Sequence, residues 1–368
     1  MTEPAPSLRF PYMVFARSSG GGAPCSLIQS GMPPADPRLL GAELPDLVFA
    51  GAEALPRLQE RLGLHLGLPP ERVIVTVGAS SAMLLLALTF FRGARVAAEI
   101  PSYQPLRVLP ELCGGALRPF ARRAEERFAV DPERVRDALR GGVGPGHVLL
   151  TSPHNPSGAL VDAERLRAVA AVAAEQGGLL IACEVYLEFA PPESRAGAAR
   201  SAVHLAPNAI SVGSFTKAYG LGALRLGWLA LGEGVAPQRA RLEDAAFLDY
   251  VDPPTPILRL GIRALEQLEA LRAPYGRLRS LCRPKLARWL EQTPGVLGQP
   301  PDHGLIAFPR LDGIGDTLAF QRRAVRDFGV DVVPGEFFGA PGHVRLGFGV
   351  EPEVLDEALA RLTRALGR

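Results

Sequence analysis

The sequence predicts an α/β protein, with a mostly parallel sheet sandwiched by helices and a smaller α+β C-terminal domain. Three observations favour this fold class. Short apolar runs, many of them β-branched, alternate with longer stretches of helical periodicity. The runs are apolar almost throughout, which is typical of parallel strands covered on both faces. The alternation ends near residue 252, where one long helical stretch and a few short strands follow.

Six apolar runs are the candidate strands of the large domain. They span residues 72–77, 95–100, 147–151, 178–183, 209–213 and 224–231. Amphipathic helices are predicted between them, over residues 80–91 and 162–176. Because ligands of such folds bind at the carboxyl ends of parallel strands, we expect functional residues directly after these runs.

The C-terminal part has a different pattern. A long helical stretch rich in arginine and leucine is predicted over residues 255–289, and a closing helix begins at Pro352, beside two glutamates. Short strands are predicted over residues 305–308, 330–333 and 344–348. We therefore divide the chain into an N-terminal segment (1–40) that packs on the small domain or a partner subunit, a large domain (41–252) and a small domain (253–368).

Composition excludes several classes of function. A net charge of +2 with interspersed acids and bases indicates neither a nucleic-acid nor a membrane-surface partner. The longest apolar run, residues 83–91, is too short to cross a bilayer. Four scattered cysteines, six scattered histidines and the absence of a signal-like start predict a cytoplasmic protein without disulfides or a metal site.

Lysine and asparagine are rare in this chain. Lys217 and Lys285 are the only lysines among 40 basic residues, and Asn155 and Asn208 are the only asparagines. Lys217 ends a Ser-Phe-Thr-Lys motif directly after a candidate strand. Arginine cannot replace lysine in a Schiff base, so a retained amine at a strand end indicates an imine-forming enzyme. A solvated surface lysine is the alternative.

Several other polar or aromatic residues also follow candidate strands. Ala79 and Ser80 open a helix, where free N–H groups suit a phosphate, although Ser80 could be a plain N-cap. Tyr103 could stack on a flat ring or lie in a core or rim. Asn155 lies in an Asn-Pro-Ser-Gly turn, where its amide could donate to a ligand oxygen. Tyr186 is a candidate buried hydroxyl.

Two arginines stand in apolar surroundings. Arg225 lies between Lys217 and the strand that follows, and its guanidinium offers a fork for phosphate or carboxylate. Arg345 lies inside the strand-like run 344–348, where a buried charge needs a partner. That partner could be a substrate carboxylate or a structural counter-ion.

Taken together and in this order, these motifs resemble the class I/II aminotransferases of the pyridoxal-phosphate fold-type I superfamily. The resemblance extends from about Ser26 to the C terminus. It implies a pyridoxal 5'-phosphate cofactor, an amino acid and a 2-oxo acid as substrates, and a homodimer. The alternatives are another reaction of the superfamily (lyase, decarboxylase, racemase or oxidase, possibly biosynthetic) and a non-catalytic, cofactor-binding descendant.

The resemblance also implies a role for each residue. Lys217 matches the Schiff-base lysine that also shuttles the proton of the substrate Cα. Tyr103 matches the aromatic residue that stacks on the pyridine ring, and Arg345 matches the clamp of the α-carboxylate. Asn155 and Tyr186 match the pair that hydrogen-bonds the phenolic oxygen of the cofactor. The phosphate-binding positions are Ala79, Ser80, Ser214 and Arg225.

The chain departs from the family at two positions. Cys183 stands where relatives carry an aspartate that keeps the pyridine nitrogen protonated, and Glu184 fills the next place of the family's motif. A neutral thiol does this poorly, whereas a thiolate beside a cation could partly compensate. Phe49 stands about where relatives place a tyrosine that reaches the partner's phosphate, or it is a core residue.

Overall fold

Seven strands form one sheet through the middle of the molecule. The computed structural model describes residues 11–12, 15, 23–41, 52–197 and 199–367. The strands, in chain order, are β1 (Cys25–Ser26), β2 (Val73–Thr76), β3 (Arg95–Ile100), β4 (Ala116–Ala121), β5 (Gly146–Thr151), β6 (Leu180–Cys183), β7 (Ala209–Ser214), β8 (Gly227–Leu231), β9 (Val296–Leu297), β10 (Ile306–Ala307), β11 (Arg310–Leu311), β12 (Val330–Asp331), β13 (Val333–Pro334) and β14 (Val344–Gly347).

The strands of the large sheet lie in the order β2-β8-β7-β6-β5-β3-β4. Strand β8 runs antiparallel to both of its neighbours, and the other neighbouring strands are parallel. Side chains alternate between two apolar layers, so that Ile181 and Ile210 face one layer while Val148 and Ala182 face the other. The mostly parallel sheet predicted from the sequence is thus confirmed.

Helices cover both faces of this sheet and also pack in the C-terminal part. The helices, in chain order, are α1 (Ala54–Leu66), α2 (Gly78–Phe90), α3 (Gln104–Leu112), α4 (Pro132–Ala138), α5 (Ala163–Glu175), α6 (Pro192–Ala196), α7 (Arg239–Asp249), α8 (Thr255–Glu266), α9 (Leu268–Gln292), α10 (Thr317–Phe328) and α11 (Pro352–Ala365). Leu85 and Leu86 of α2 lie in one apolar layer, and Leu166 and Val169 of α5 lie in the other. The layers on both faces complete the predicted sandwich.

The C-terminal part has short strands and long helices. Strands β10, β14 and β13 form an antiparallel sheet, and β11 pairs with β9. Strand β1 pairs in parallel with β12, so the segment that contains Cys25 contacts the C-terminal part of the chain. The division of the chain at residues 40 and 252 remains a prediction.

The structure adds detail to the sequence interpretation at two elements. The long helical stretch predicted over residues 255–289 consists of two helices, α8 and α9, separated at Gln267. Edge strand β4 was missed because it carries Arg118 and Pro119 and is mostly exposed, so it has no apolar run.

Candidate active site

Lys217 lies just beyond the carboxyl end of β7, against residues of the N-terminal segment. Its Nζ donates to Ser30 Oγ at 3.1 Å, and its carbonyl oxygen accepts from the Met32 N–H at 2.9 Å. A Cβ on Gly31 would lie 3.1 Å from both Cα and Cδ of Lys217, so a larger residue would require Lys217 to shift slightly. The amine is therefore enclosed by residues that are distant in sequence.

The surroundings of Lys217 favour its neutral form. Burial lowers the pKa of Lys217 to about 8, and the positive charges of Arg345 and Arg225 act in the same direction. Cys183 opposes this shift. A larger share of the amine is therefore unprotonated near neutral pH than in an exposed lysine, as a nucleophile requires.

Arg345, in β14, is a fully buried cation. It donates from Nη1 to Asn155 Oδ1 and from Nη2 to Tyr12 Oη and the Ile28 carbonyl, each at 3.0 Å. Among the described residues no carboxylate forms an ion pair with it, and its buried Nε has no hydrogen-bond partner. A buried guanidinium with neutral partners and a free N–H suits an incoming anion.

Asn155 and Tyr186 lie beside this guanidinium and the lysine. The Asn155 side-chain oxygen accepts from Arg345, which leaves its NH2 group to donate elsewhere. Burial raises the pKa of Tyr186 to about 12, although Arg345 and a hydrogen bond with Ser30 lower it. The phenol is thus protonated at neutral pH and available as a donor.

Cys183 ends β6, opposite Thr151 in β5. Burial raises the pKa of its thiol to about 12, and Glu99 and Glu184 add to the shift, whereas Lys217 opposes it. The thiol is therefore neutral at physiological pH. The thiolate considered from the sequence is disfavoured because burial outweighs the nearby cation.

The start of α2 has no side-chain cap and lies beside a guanidinium. The residue before the helix, Val77, makes no side-chain capping hydrogen bond. Gly78 has φ +78°, and a Cβ there would lie 2.9 Å from Nη2 of the exposed Arg225. Ser80 is exposed in the first turn of α2, so the interpretation of Ser80 as the N-cap was wrong.

The remaining predicted residues lie in the first turn of α2, at the end of β7 and directly before α3. Ala79 is partly buried in the first turn of α2. Ser214 ends β7, and its Oγ donates to Thr216 Oγ1 at 2.7 Å. Tyr103 is partly buried and meets the ring of Tyr12 edge-on, with 5.7 Å between centroids.

Sequence reasoning missed Ser30 and Tyr12. Both lie in the N-terminal segment, before the first strand of the large sheet, so no strand-end signal marked them.

Phe49 lies outside the described residues. In the part of the chain that the structure describes, no group of histidine, cysteine and carboxylate residues could hold a metal ion, and no helix is long and apolar enough to cross a membrane.

These features fit one cofactor. The helix start with its glycine and nearby guanidinium suits a phosphate, and the amine of lowered pKa suits an aldehyde. The fold and the site together define a pyridoxal-phosphate-dependent enzyme of fold type I. The family described as "Aminotransferase class I and II" matches residues 45–362. The chain belongs to this family, and its cofactor is pyridoxal 5'-phosphate.

Individual relatives agree with this assignment. The chain is 30% identical to capreomycidine synthase from Streptomyces vinaceus over 342 residues, which cover 90% of this chain and 85% of that protein. It is also 30% identical to the arginine–pyruvate transaminase of Pseudomonas aeruginosa, over 79% of this chain and 74% of that protein. A solved structure of an aspartate aminotransferase single mutant from Thermus thermophilus superposes with a TM-score of 0.80 at 26% identity, covering 96% of this chain and 94% of that one.

Proposed function

We propose that this protein is an aminotransferase that moves an amino group between an amino acid and a 2-oxo acid, with Lys217 as the residue that bonds the cofactor's aldehyde carbon. One observation carries the proposal: the Lys217 amine of lowered pKa lies close enough to the buried Arg345 guanidinium to be affected by its charge, and that guanidinium has no carboxylate partner among the described residues. An amine and a carboxylate receptor are the two groups that an α-amino acid requires.

Different residues of the site then bind the substrate carboxylate and the individual groups of the cofactor. Arg345 binds the substrate α-carboxylate, and Asn155 and Tyr186 donate to the phenolic oxygen of the cofactor. Tyr103 lies against the pyridine ring. The phosphate is bound by residues at the start of α2 and near the end of β7, namely Ala79, Ser80, Ser214 and Arg225.

Lys217 also moves the proton in this proposal. When bound, the cofactor supplies an electron sink that lets the substrate Cα–H bond break. The Nζ of Lys217 takes that proton and later returns it to the substrate–cofactor framework. Its pKa of about 8 suits both duties, because proton transfer is most efficient when the pKa of the base is close to the working pH.

A second candidate reaction is favoured by Cys183. A neutral thiol does not hold a proton on the pyridine nitrogen as a carboxylate does, so the electron sink is weaker. A lyase reaction, in which the Cα proton is removed and a group leaves the neighbouring carbon, does not need the proton to be returned to the cofactor. The similarity to capreomycidine synthase, whose name describes a product other than a 2-oxo acid, supports this alternative.

A donor panel separates the two reactions. The purified holoenzyme is incubated with each proteinogenic amino acid and with pyruvate or 2-oxoglutarate, and new amino acid is measured by mass spectrometry. Aminotransfer predicts that product nitrogen comes from the donor and that nothing forms without the acceptor. Ammonia or a cyclised product released without an acceptor would instead establish the second reaction, and Lys217→Ala should abolish both.

Three exposed apolar side chains support a homodimer. Phe247 and Leu248, near the end of α7, are 65% and 84% exposed, and Val251 follows them at 56%. Such a patch is typical of a subunit interface. Light scattering of the purified protein checks this proposal, and a monomeric mass at micromolar concentration would refute it.

A further inference from the structure

Ser30 contacts the amine of the proposed site from the N-terminal segment. Its Oγ accepts from Lys217 Nζ at 3.1 Å, and the serine also lies near Tyr186, whose pKa it lowers. Ser30 is 5% exposed, so water does not readily replace the contact with the amine. A buried serine from a distant part of the chain therefore touches the reacting amine.

The backbone around Ser30 is fixed on both sides. Before it, the Leu27 N–H donates to the Asp331 carbonyl at 2.9 Å, and the Ile28 carbonyl accepts from Arg345 at 3.0 Å. After it, Met32 donates to the Lys217 carbonyl. The backbone on both sides of Ser30 is thus held by Arg345 and Lys217, which are themselves residues of the site.

The direction of the hydrogen bonds is determined by their chemistry. A protonated lysine amine has donors but no acceptor, so Nζ donates and Ser30 Oγ accepts. The Ser30 hydroxyl hydrogen remains available for another acceptor, and the nearby serine lowers the pKa of Tyr186.

We propose that Ser30 is a positioning residue, whose hydroxyl orients the Lys217 amine and stabilises the ammonium that forms when the amine takes the substrate Cα proton. In this step the Cα–H bond breaks, its electron pair stays on the substrate–cofactor framework, and a new N–H bond forms on Nζ. Ser30 and Tyr186 keep their own protons. The inference rests on the proposed role of Lys217.

The charges around the lysine explain why such an acceptor is needed. Arg345 and Arg225 both disfavour the ammonium, and Cys183 opposes them only weakly because its thiol is neutral. Within the described chain, Ser30 is the side chain that accepts from Nζ. Its removal should therefore destabilise the charged form more than the neutral form.

The test compares Ser30→Ala with the wild type in two ways. In the full chain freed of cofactor, the pH dependence of Lys217 acetylation is measured by mass spectrometry, with Lys285 as the internal reference. We expect the apparent pKa of Lys217 to fall by about 0.5–1 pH unit. In the holoenzyme with an α-deuterated donor, kcat should fall about tenfold while KM changes less than about twofold.

Three further variants make the result decisive. Ser26→Ala, in the same segment, should leave both quantities unchanged, and Ser30→Thr should retain the wild-type pKa because it retains the hydroxyl. Should Ser30→Ala fail to fold, Ser30→Cys replaces the acceptor by a weak one at similar volume and should lower the pKa less. An unchanged Lys217 pKa in the folded variant would overturn the proposal. The acetylation result stands even if no amino donor is found, so failure of the proposed function is distinguished from failure of this one.

Discussion

Arg345 donates from Nη1 to the side-chain oxygen of Asn155 at 3.0 Å, although 190 positions separate them in the chain. The contact ties β14 to the turn after β5. It also orients the Asn155 amide, because an oxygen that accepts from the guanidinium leaves the NH2 group pointing away. Each residue therefore positions the other, and both lie in the cluster that contains Lys217.

Lys217→Ala should abolish covalent attachment of the cofactor, because no other side chain replaces the amine there. The measurement is borohydride reduction of the holoenzyme, followed by peptide mass spectrometry. Lys285→Arg is the matched control and should be labelled fully at Lys217, since Lys285 pairs with Asp356 at 2.5 Å. Cofactor found on Lys285 in the wild type would contradict the role of Lys217.

Arg345→Ala should raise KM for α-amino acids about a hundredfold, because it removes the charged fork that is proposed to bind the carboxylate. Steady-state kinetics over a range of donor concentrations checks this. Amines that lack the carboxylate should be used equally well by variant and wild type. An unchanged KM for α-amino acids would show that Arg345 has a structural role and does not bind the substrate carboxylate.

Cys183→Asp should raise the rate of amino transfer about tenfold if the neutral thiol limits the reaction, because a carboxylate holds a proton on the pyridine nitrogen. Single-turnover rates with the preferred donor measure the effect. Cys183→Ser keeps a neutral side chain and should give no gain. An equal or lower rate in the aspartate variant would show that this chain's reaction does not depend on that proton.

Gly78→Ala should weaken cofactor binding about tenfold or more. The new Cβ would lie 2.9 Å from Arg225 Nη2, and the φ of +78° strains any residue but glycine. Equilibrium dialysis against pyridoxal phosphate measures the dissociation constant. Gly276→Ala, where nothing lies within 4 Å of the added Cβ, is the control. Equal affinities would mean that the start of α2 does not bind the phosphate.

Glu188 should make stability depend on pH. Burial alone would raise its pKa, but hydrogen bonds and charges from His65, Arg195 and Tyr219 outweigh burial and hold it at about 2, below the ordinary 4.5. A depressed carboxyl pKa stabilises the fold above about pH 4.5, and this contribution is lost as the pH falls towards 2.

Glu188→Gln should therefore lower the free energy of unfolding by about 3 kcal/mol at pH 7, with a smaller difference at pH 3. Urea unfolding at the two pH values measures it. The exposed Glu60→Gln is the control and should show no such pH-dependent loss. If the difference in unfolding free energy between variant and wild type does not change with pH, the ionised Glu188 carboxylate is not its cause.

The sequence by itself determined the parallel sheet and the positions that follow its strands. Apolar runs such as residues 178–183 fill a strand that is covered on both faces, and this pattern is local. The rare residues Lys217 and Asn155 could be recognised because each stands at a strand end. Edge strand β4 escaped because its side chains are mostly exposed and no local apolar pattern is required there.

Only the tertiary structure decided how these residues meet. Ser30 reaches Lys217, and Tyr12 reaches Arg345, through contacts that join distant parts of the chain. The protonation of Cys183 also depends on burial and on Glu99, which is distant in sequence, and the residue's sequence neighbours reveal neither of them. Secondary structure follows from short-range periodicity, whereas desolvation and hydrogen-bond partners arise only when separate elements pack together.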